Sequence, residues 1–441
     1  MKGEPLAMKD IIIKGIKYIL VFCITVAVLL LLLVGVALIP QEKIKENVYG
    51  SAQYYVENEI FEETIGGVKG SIVDRYADTI LVAIAYQYDE DKPVESVIKS
   101  SYYHNDLKNE NDNLMLAVSE ELEANQQYLR YWHGSNVILR PLLVLFTVEE
   151  IYVINAIVLG VMAVLLIGIL AFKKAYTLVA GVGIGIVMTS GWIVPFSFEY
   201  TWTYGLMMLM SILVLGIGYK DKWKYTGFVF LVAGMLTNFF DFLTTETLTC
   251  TVPLLILIWL KSNQADKPTL KEMFVFSGKN ILLWGVGYAG MWISKWVIAS
   301  IVLGENVMPY ITGHIGERIG GDLGLNPVQY ILGAVTRNLS CLFPFEYGGF
   351  GAMLGIMLIV FAFYIGYVYY GKKEDKSYIW IYFVIAMIPY IRYMVLHNHA
   401  YLHYFFTYRA QFATVLAVVL ILELLTDRRW FARGKARRKR T

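Results

Sequence analysis

The sequence predicts an all-α polytopic membrane protein with about ten transmembrane helices and a large extracytoplasmic first loop that carries short membrane-surface helices. Three observations predict this fold. Hydrophobic residues make up 57% of the chain and charged residues only 17%, whereas about a quarter of the residues of a soluble protein are charged. Apolar runs close to the ~20 residues needed to cross a bilayer recur along the chain. Lys and Arg concentrate in alternate connecting segments, as the positive-inside rule requires.

The apolar segments are the candidate spans. They lie at residues 18–39, 150–172, 176–195, 203–219, 225–240, 247–260, 280–303, 349–371, 378–395 and 410–426. The first segment lacks a small-residue cleavage site, so we expect an uncleaved signal anchor. The fifth and sixth segments are short and flank residues 238–242 (NFFDF). That sequence favours either a tight turn or a loop that dips into the membrane.

Charge placement predicts the orientation. With the N-terminus inside, the cytoplasmic segments hold most of the 38 Lys and Arg residues. Both termini are therefore predicted to be cytoplasmic in a multi-pass plasma-membrane protein, and the lack of a Cys-rich ectodomain favours a bacterial membrane. We interpret the basic tail, residues 427–441, as a topology anchor on anionic lipid and not as a nucleic-acid-binding segment. The expected partners accordingly include membrane lipids and no nucleic acid.

Four parts are predicted along the chain: residues 1–39 with the first helix, the extracytoplasmic loop 40–149, the multi-span domain 150–426 and the tail 427–441. Three apolar pieces are too short to span: Ile72 to Tyr86, Val137 to Val148 and Pro327 to Phe345. Short apolar helices with charge at their start suit the membrane surface. They suit the core of a small loop domain equally well.

Two acids in the loop are the first candidates for chemistry. Asp74 and Asp78 are four residues apart, so on a helix both carboxylates share one face. Two like charges so placed require a cation, a metal ion or a raised pKa on one of them, and a carboxylate with a raised pKa can serve as a general base. The alternative is a pair of solvated acids in the first turn of a helix, which the helix dipole favours.

Two further acids lie in aromatic turns. Asp241 is flanked by phenylalanines in residues 238–242, and both a functional and a structural role are open for it. Glu199 lies in residues 196–202 (FSFEYTW). Aromatic residues there are typical of an interfacial belt, which favours a structural role for Glu199.

Near the end of the chain, His397, His399 and His403 cluster with Arg409. The i, i+4 spacing of His399 and His403 can hold a metal ion, but no acidic residue accompanies it, so no metal site is predicted. The cluster favours a phosphate bound through charge-assisted hydrogen bonds. An interfacial stretch with snorkelling side chains is the alternative.

Three further cations lie at or near membrane depth: Lys295, Arg337 and Arg392. Cations at such depth point into a polar cavity or pair with an anion. Paired with Asp241 they would be structural, whereas in an outer cavity they would suit a lipid phosphate, and we favour the second interpretation.

The layout resembles the GT-C class of membrane glycosyltransferases, in which an uncleaved first helix, a long outer loop with an early acid and eight or more further spans follow in order. The resemblance rests on residues 73–78 (VDRYAD) and on residues 131–134 (YWHG) and 140–143 (RPLL), which look like the segment that leads into the second span. Members of that class transfer sugars from polyprenyl phosphate on the outer face, and an acid early in the loop acts as, or near, the base. The paired adjacent acids common in that class are missing here.

The resemblance implies a hexosyl- or pentosyltransferase that uses a polyprenyl-phosphate-linked sugar. It implies Asp74 as the base and Asp78 as the second candidate. The donor phosphate is then expected near Lys295, Arg392, His403 or Arg409, and Asp78 or Asp241 is expected to position either the acceptor or a divalent cation. Two other functions are open: a transporter or flippase of a lipid-linked substrate, which should carry buried charges at several depths, and a non-catalytic envelope protein.

Overall fold

The computed structural model describes residues 8–319, 325–343, 349–370 and 376–426. These residues form helices and a single two-stranded hairpin, which confirms the all-α class. The basic tail 427–441 and residues 371–375 lie outside the described residues, so the predicted span 349–371 is described up to residue 370.

The helices are numbered in chain order. The first ten are α1 (Met8–Ala37), α2 (Glu42–Glu57), α3 (Arg75–Tyr86), α4 (Pro93–Lys99), α5 (Glu110–Ser119), α6 (Asn136–Leu143), α7 (Val148–Phe172), α8 (Tyr176–Met188), α9 (Phe198–Tyr219) and α10 (Thr226–Phe240). The others are α11 (Leu248–Ser262), α12 (Leu270–Leu303), α13 (Met308–Ile319), α14 (Pro327–Leu342), α15 (Gly349–Tyr370), α16 (Ile379–Ala386), α17 (Ile388–Val395), α18 (His397–Leu402), α19 (Tyr404–Thr407) and α20 (Phe412–Leu425). The strands are β1 (Phe61–Glu63) and β2 (Ile72–Asp74).

Within the described residues, 5 helical stretches are long and apolar enough to cross a membrane. They are α1, α7, α9, α12 and the continuous stretch Tyr404–Leu425. Shorter apolar helices lie at Tyr176–Met188, Leu248–Ser262, Gly355–Tyr364 and Ile379–Val395. Helices overlap the predicted segments, with residues 225–240 on α10 and residues 378–395 divided between α16 and α17, but only five stretches of the described residues have the length and hydropathy of a span.

Local sequence sets the ends of α12. Thr269 and Glu272 form a capping box at its start, and Gly304 ends it in the left-handed conformation at φ 69°. The 34 residues between them extend for about 51 Å at 1.5 Å per residue. This helix is therefore longer than the ~30 Å hydrocarbon layer and reaches the loop on one side of the bundle.

Helices α10 and α12 touch backbone to backbone. A side-chain carbon at Gly234 would lie 2.0 Å from the carbonyl oxygen of Trp284, and one at Gly287 would lie 2.1 Å from that of Leu231. Two glycines facing each other's helix therefore permit a contact that any larger residue would prevent. Small residues are the usual means by which membrane helices approach so closely.

The loop, defined here as residues 40–147, folds into a packed unit. It contains α2 to α6 and the antiparallel hairpin, in which Phe61 pairs with Asp74. Helix α3 buries most of its residues, and Trp132 is also buried. The apolar piece that begins at Ile72 is therefore buried against its neighbours in the protein.

Hydrogen bonds attach this loop to the long helices. The indole nitrogen Nε1 of Trp132 donates to the carbonyl oxygen of Met291 at 2.9 Å. The backbone N–H of Gly134 donates to the carbonyl oxygen of Phe239 at 2.9 Å. The loop is thus docked on α10 and α12 through buried polar contacts, whose loss would leave unsatisfied backbone groups.

Candidate functional site

A cavity of about 590 Å³ lies between the loop, the start of α9 and the helices that follow α17. Six of its lining residues are ionisable or imidazole side chains: Asp74, Arg130, His133, Glu199, His399 and His403. Aromatic side chains form much of the rest, including Phe61, Tyr76, Tyr102, Tyr128, Phe242 and Phe406. A concave, largely apolar surface with a few converging polar groups is the usual form of a small-molecule site.

Asp74 is placed in this cavity by the junction of β2 and α3. It caps α3, and its Oδ1 accepts a hydrogen bond from the backbone N–H of Ala77 at 3.1 Å. Only 3% of the residue is exposed. Burial raises the pKa of the Asp74 carboxyl to about 6, against the lowering effect of its hydrogen bonds and of Arg409. A carboxylate with such a pKa can both hold and release a proton near neutral pH.

Glu199 lies beside Asp74 in the wall of the cavity, and the two carboxyl groups interact electrostatically. Glu199 is in the first turn of α9 and is 6% exposed. Two acids that interact in this way lose their protons in coupled steps, because the charge on one disfavours the charge on the other. They form an acid pair, the Asp74–Glu199 dyad.

Asp78 has a different place and does not line the cavity. Its Oδ2 accepts from the Tyr152 hydroxyl at 2.6 Å and from the Phe198 backbone N–H at 2.8 Å. Its Oδ1 accepts from the Ser197 hydroxyl at 3.1 Å and from the Glu199 backbone N–H at 3.2 Å. Burial raises the pKa of Asp78 to about 7, while these hydrogen bonds oppose the rise. Asp78 thus caps the N-terminus of α9 from the loop.

The predicted histidine cluster is divided by the structure. His399 and His403 line the cavity, with ring centroids 4.8 Å apart, and the ring of His403 stacks on Phe406 at 5.2 Å. His397 lies outside the lining, and its Nδ1 donates to the carbonyl oxygen of Met394 at 3.2 Å. Two of the three predicted histidines are therefore in the same cavity as Asp74.

Arg409 is buried behind the cavity and does not line it. Its Nη2 donates to the carbonyl oxygen of Gly70 at 2.9 Å, and its guanidinium stacks on Tyr200 at 4.2 Å. These contacts hold the hairpin of the loop against α9. Its positive charge still acts on Asp74, whose pKa it lowers.

Asp241 and Arg392 both stabilise the turn that joins α10 to α11. Asp241 accepts backbone hydrogen bonds from Leu243 at 3.0 Å and from Thr244 at 3.2 Å, while Leu243 has a φ of 71°. Arg392 forms a buried ion pair with Glu246 at 2.8 Å and donates to the carbonyl oxygen of Leu243. Neither residue lines the cavity, and these contacts account for their burial.

Lys295 and Arg337 also lie outside the cavity lining. The ammonium of Lys295, which is fully buried, donates to the carbonyl oxygens of Val97 at 3.1 Å and Ile98 at 2.8 Å. It thereby caps the C-terminal end of α4, as a cation does at the negative end of a helix. Arg337 is exposed and stacks on Tyr401 at 3.8 Å.

Arg130 and His133 line the cavity but are absent from the candidates that the sequence suggested, and Glu199 lines it although the sequence favours a structural role for it. Arg130 lies over the ring of Tyr128 at 4.4 Å and over that of Tyr131 at 5.4 Å. The run from Tyr128 to His133 (YLRYWH) contains three aromatic residues, an arginine and a histidine, and this composition is the local signal for the segment. Glu199 carried no such signal, because its partner Asp74 is distant in sequence.

The side chains of the described residues include no group of three or more His, Cys, Asp or Glu arranged to hold a metal ion. The fold and the cavity together define the class: an all-α protein with membrane-type apolar helices and an acid dyad beneath a folded loop. No family model matches the chain, and neither a curated protein nor a solved structure matches it.

Proposed function

We propose that the chain is a GT-C-like glycosyltransferase that moves a sugar from a polyprenyl-phosphate donor to an acceptor hydroxyl on the extracytoplasmic face. In this proposal about ten spans cross the plasma membrane, with both termini in the cytoplasm. The observation that carries the proposal is the position of Asp74, which lies in the wall of the cavity beside Glu199. The loop that covers the cavity is also the segment that is predicted to lie outside from the Lys and Arg content of the short connecting segments.

The chemistry of transfer requires a base next to the acceptor. The acceptor oxygen forms a bond to the anomeric carbon of the sugar, the bond from that carbon to the phosphate oxygen breaks, and the phosphate leaves on its lipid. The acceptor proton passes to Asp74, whose raised pKa of about 6 suits a general base near neutral pH. A protonated Glu199 would keep the Asp74 carboxylate in place by donating a hydrogen bond to it.

The aromatic lining supports a sugar as the ligand. Tyr76, Tyr102 and Tyr128 lie on the loop side of the cavity, and Phe406 lies opposite, beside His403. Flat apolar faces combined with a few polar groups suit a sugar ring, which has both apolar C–H surfaces and hydroxyl groups. For transport, cations lining a path would be expected, but Lys295 and Arg392 are bound to protein groups.

Activity should be measured with the full chain in detergent, using a labelled panel of polyprenyl-phosphate sugars. We expect turnover in the wild type and a loss of at least about 100-fold in Asp74→Asn, because general-base catalysis typically contributes 10²–10⁴-fold. Asp91→Asn is the matched control, since Asp91 is an exposed acid of the same loop. Unchanged turnover in a well-folded Asp74→Asn protein would refute the proposal.

A further inference from the structure

One segment of the cavity wall, residues 128–133, is not used by the proposed base. Among the residues that the structure describes, Arg130 is the single arginine or lysine that lines the cavity. Lys295 and Arg392, two other cations that the sequence pointed to, do not line the cavity. The guanidinium of Arg130, in this segment, is therefore the positive charge that an anionic ligand in the cavity would contact.

The geometry of Arg130 suits a phosphate. Its guanidinium is stacked over the rings of Tyr128 at 4.4 Å and Tyr131 at 5.4 Å, and its Nη2 donates to the Tyr128 hydroxyl at 2.8 Å. Stacking fixes the plane of a guanidinium while its in-plane N–H groups can still bind oxygen anions. A preorganised fork of this kind is the usual partner of phosphate oxygens.

His133 adds an independent observation beside Arg130. Its Nε2 donates to the carbonyl oxygen of Tyr128 at 2.9 Å, which fixes the tautomer, so that Nδ1 carries a lone pair. Burial lowers the pKa of His133 to about 3, so the ring is neutral at physiological pH. The residue is 1% exposed, and Nδ1 has no donor within the described part of the chain.

The backbone of His133 also indicates a special position. Its φ is 53°, a left-handed conformation that is uncommon for a residue other than glycine. Such conformations persist where the surroundings hold them, and they concentrate at ligand sites. Here the tight turn brings the imidazole of His133 back to the carbonyl of Tyr128. The imidazole then lies in the same wall of the cavity as Arg130.

We propose that Arg130 and His133 form a glycosyl-phosphate subsite: the guanidinium of Arg130 binds the phosphate, and Nδ1 of His133 accepts a hydrogen bond from a neighbouring sugar hydroxyl. This inference rests on the proposed function and deepens it, because it assigns the donor's phosphate to the loop wall of the cavity. The phosphate is then held by a different group from the Asp74–Glu199 dyad, whose negative charge would repel it.

Binding, and not turnover, tests the subsite. The probes are polyprenyl phosphate with and without a sugar, the corresponding polyprenol without phosphate, and inorganic phosphate. In Arg130→Gln we expect the affinity for both phosphorylated lipids to fall at least about tenfold, since hydrogen bonds to charged groups are among the strongest. Lys173→Gln is the matched control, because Lys173 also stacks on a tyrosine, Tyr219, but lies outside the cavity lining.

The hydroxyl contact is tested by His133→Asn, since asparagine tolerates a left-handed backbone. We expect a loss of about fivefold or more for the lipid with a sugar and little change for the lipid without one. Equal affinity of Arg130→Gln and wild type for phosphorylated lipid would overturn the phosphate assignment. An equal loss for both lipids in His133→Asn would overturn the hydroxyl assignment.

The two proposals fail in different ways. If both phosphorylated lipids bind through Arg130 but no sugar is transferred to any acceptor, the subsite stands and the transferase function fails. If inorganic phosphate alone binds through Arg130 and the lipids do not, the phosphate site stands and its ligand is soluble, against the lipid-linked donor. If transfer depends on Asp74 but no probe depends on Arg130, the function stands and the subsite fails.

Discussion

The carboxylate of Asp78 in the loop accepts a hydrogen bond at 3.2 Å from the backbone N–H of Glu199, the first-turn residue of α9 that faces the cavity. One acid thereby fixes the position of another acid that is 121 residues further along the chain. This hydrogen bond fixes the loop against the membrane-type helices next to the Asp74–Glu199 dyad.

Replacing this cap should destabilise the protein. In Asp78→Asn, the side-chain amide would face the Tyr152 hydroxyl or the N–H groups of α9 with a donor where an acceptor is needed. We expect a loss of about 1–3 kcal/mol, the cost of an unsatisfied buried polar group. Thermal unfolding in detergent measures it, with Asp91→Asn as an exposed control that should keep the wild-type midpoint.

The proposed base predicts a defined pH dependence of transfer. Asp74 must be ionised to accept a proton, and its pKa is raised to about 6 by burial. Activity should therefore be full above this pH and fall as the pH is lowered through about 6. A pH–rate profile between pH 5 and 8 checks this, and an activity that increases on acidification would contradict the assignment.

Glu199 should respond differently to two substitutions. Glutamine can donate a hydrogen bond to Asp74 as a protonated glutamic acid does, whereas alanine cannot. We expect Glu199→Gln to keep most of the transfer rate and Glu199→Ala to lose about tenfold or more, since Asp74 is then less firmly held. If Glu199→Gln is as inactive as Asp74→Asn, then Glu199 does more than donate a hydrogen bond and its assigned role is wrong.

Lys295 is expected to matter for stability and not for ligand affinity. In Lys295→Met the carbonyl oxygens of Val97 and Ile98 lose their donor. We expect a loss of about 1–3 kcal/mol in unfolding free energy with unchanged lipid binding. Lys271→Gln, an exposed lysine of the same helix, is the control. A Lys295→Met protein of normal stability that no longer binds phosphorylated lipid would contradict this assignment.

The contact between α10 and α12 gives a prediction about packing. In Gly287→Ala, the new methyl group would lie 2.1 Å from the carbonyl oxygen of Leu231, so the helices must separate. We expect a loss of about 1–3 kcal/mol, as is usual for overpacking. Gly278→Ala on the same helix meets nothing within 4 Å and should be neutral. Equal melting temperatures for the two variants would show that the contact is looser than described.

Much of the fold could be predicted from local sequence, and much of the site could not. Long apolar runs predict helices because a membrane-type helix needs no partner to satisfy its backbone. Asp74 was identified because its place early in the loop is a local feature. The contact between Asp74 and Glu199, by contrast, joins distant segments, and the aromatic residues around Glu199 favoured a different interpretation.

The buried cations show the same limit of prediction from sequence, namely that partners distant in the chain cannot be identified. The depth of Lys295 predicts a polar cavity or an anion around its ammonium and favours a lipid phosphate, whereas the ammonium donates to two loop carbonyls 197 and 198 residues earlier in the chain. Spacing cannot identify such a partner, because backbone carbonyls have no sequence signature. Arg130 was overlooked for the opposite reason: it lies in a polar loop, where an arginine is ordinarily solvated.

The bond between Lys295 and α4 has a consequence for biosynthesis. The ribosome completes Ile98 197 residues before it reaches Lys295, which at 5–20 residues per second is a delay of about 10–40 s. Throughout that interval the newly made segment has no helix α12 to dock on and exposes the carbonyls that the lysine will later cover. The loop therefore cannot complete its hydrogen bonds until Lys295 has been made, and a chain that stops short of Lys295 lacks the donor for these two carbonyls.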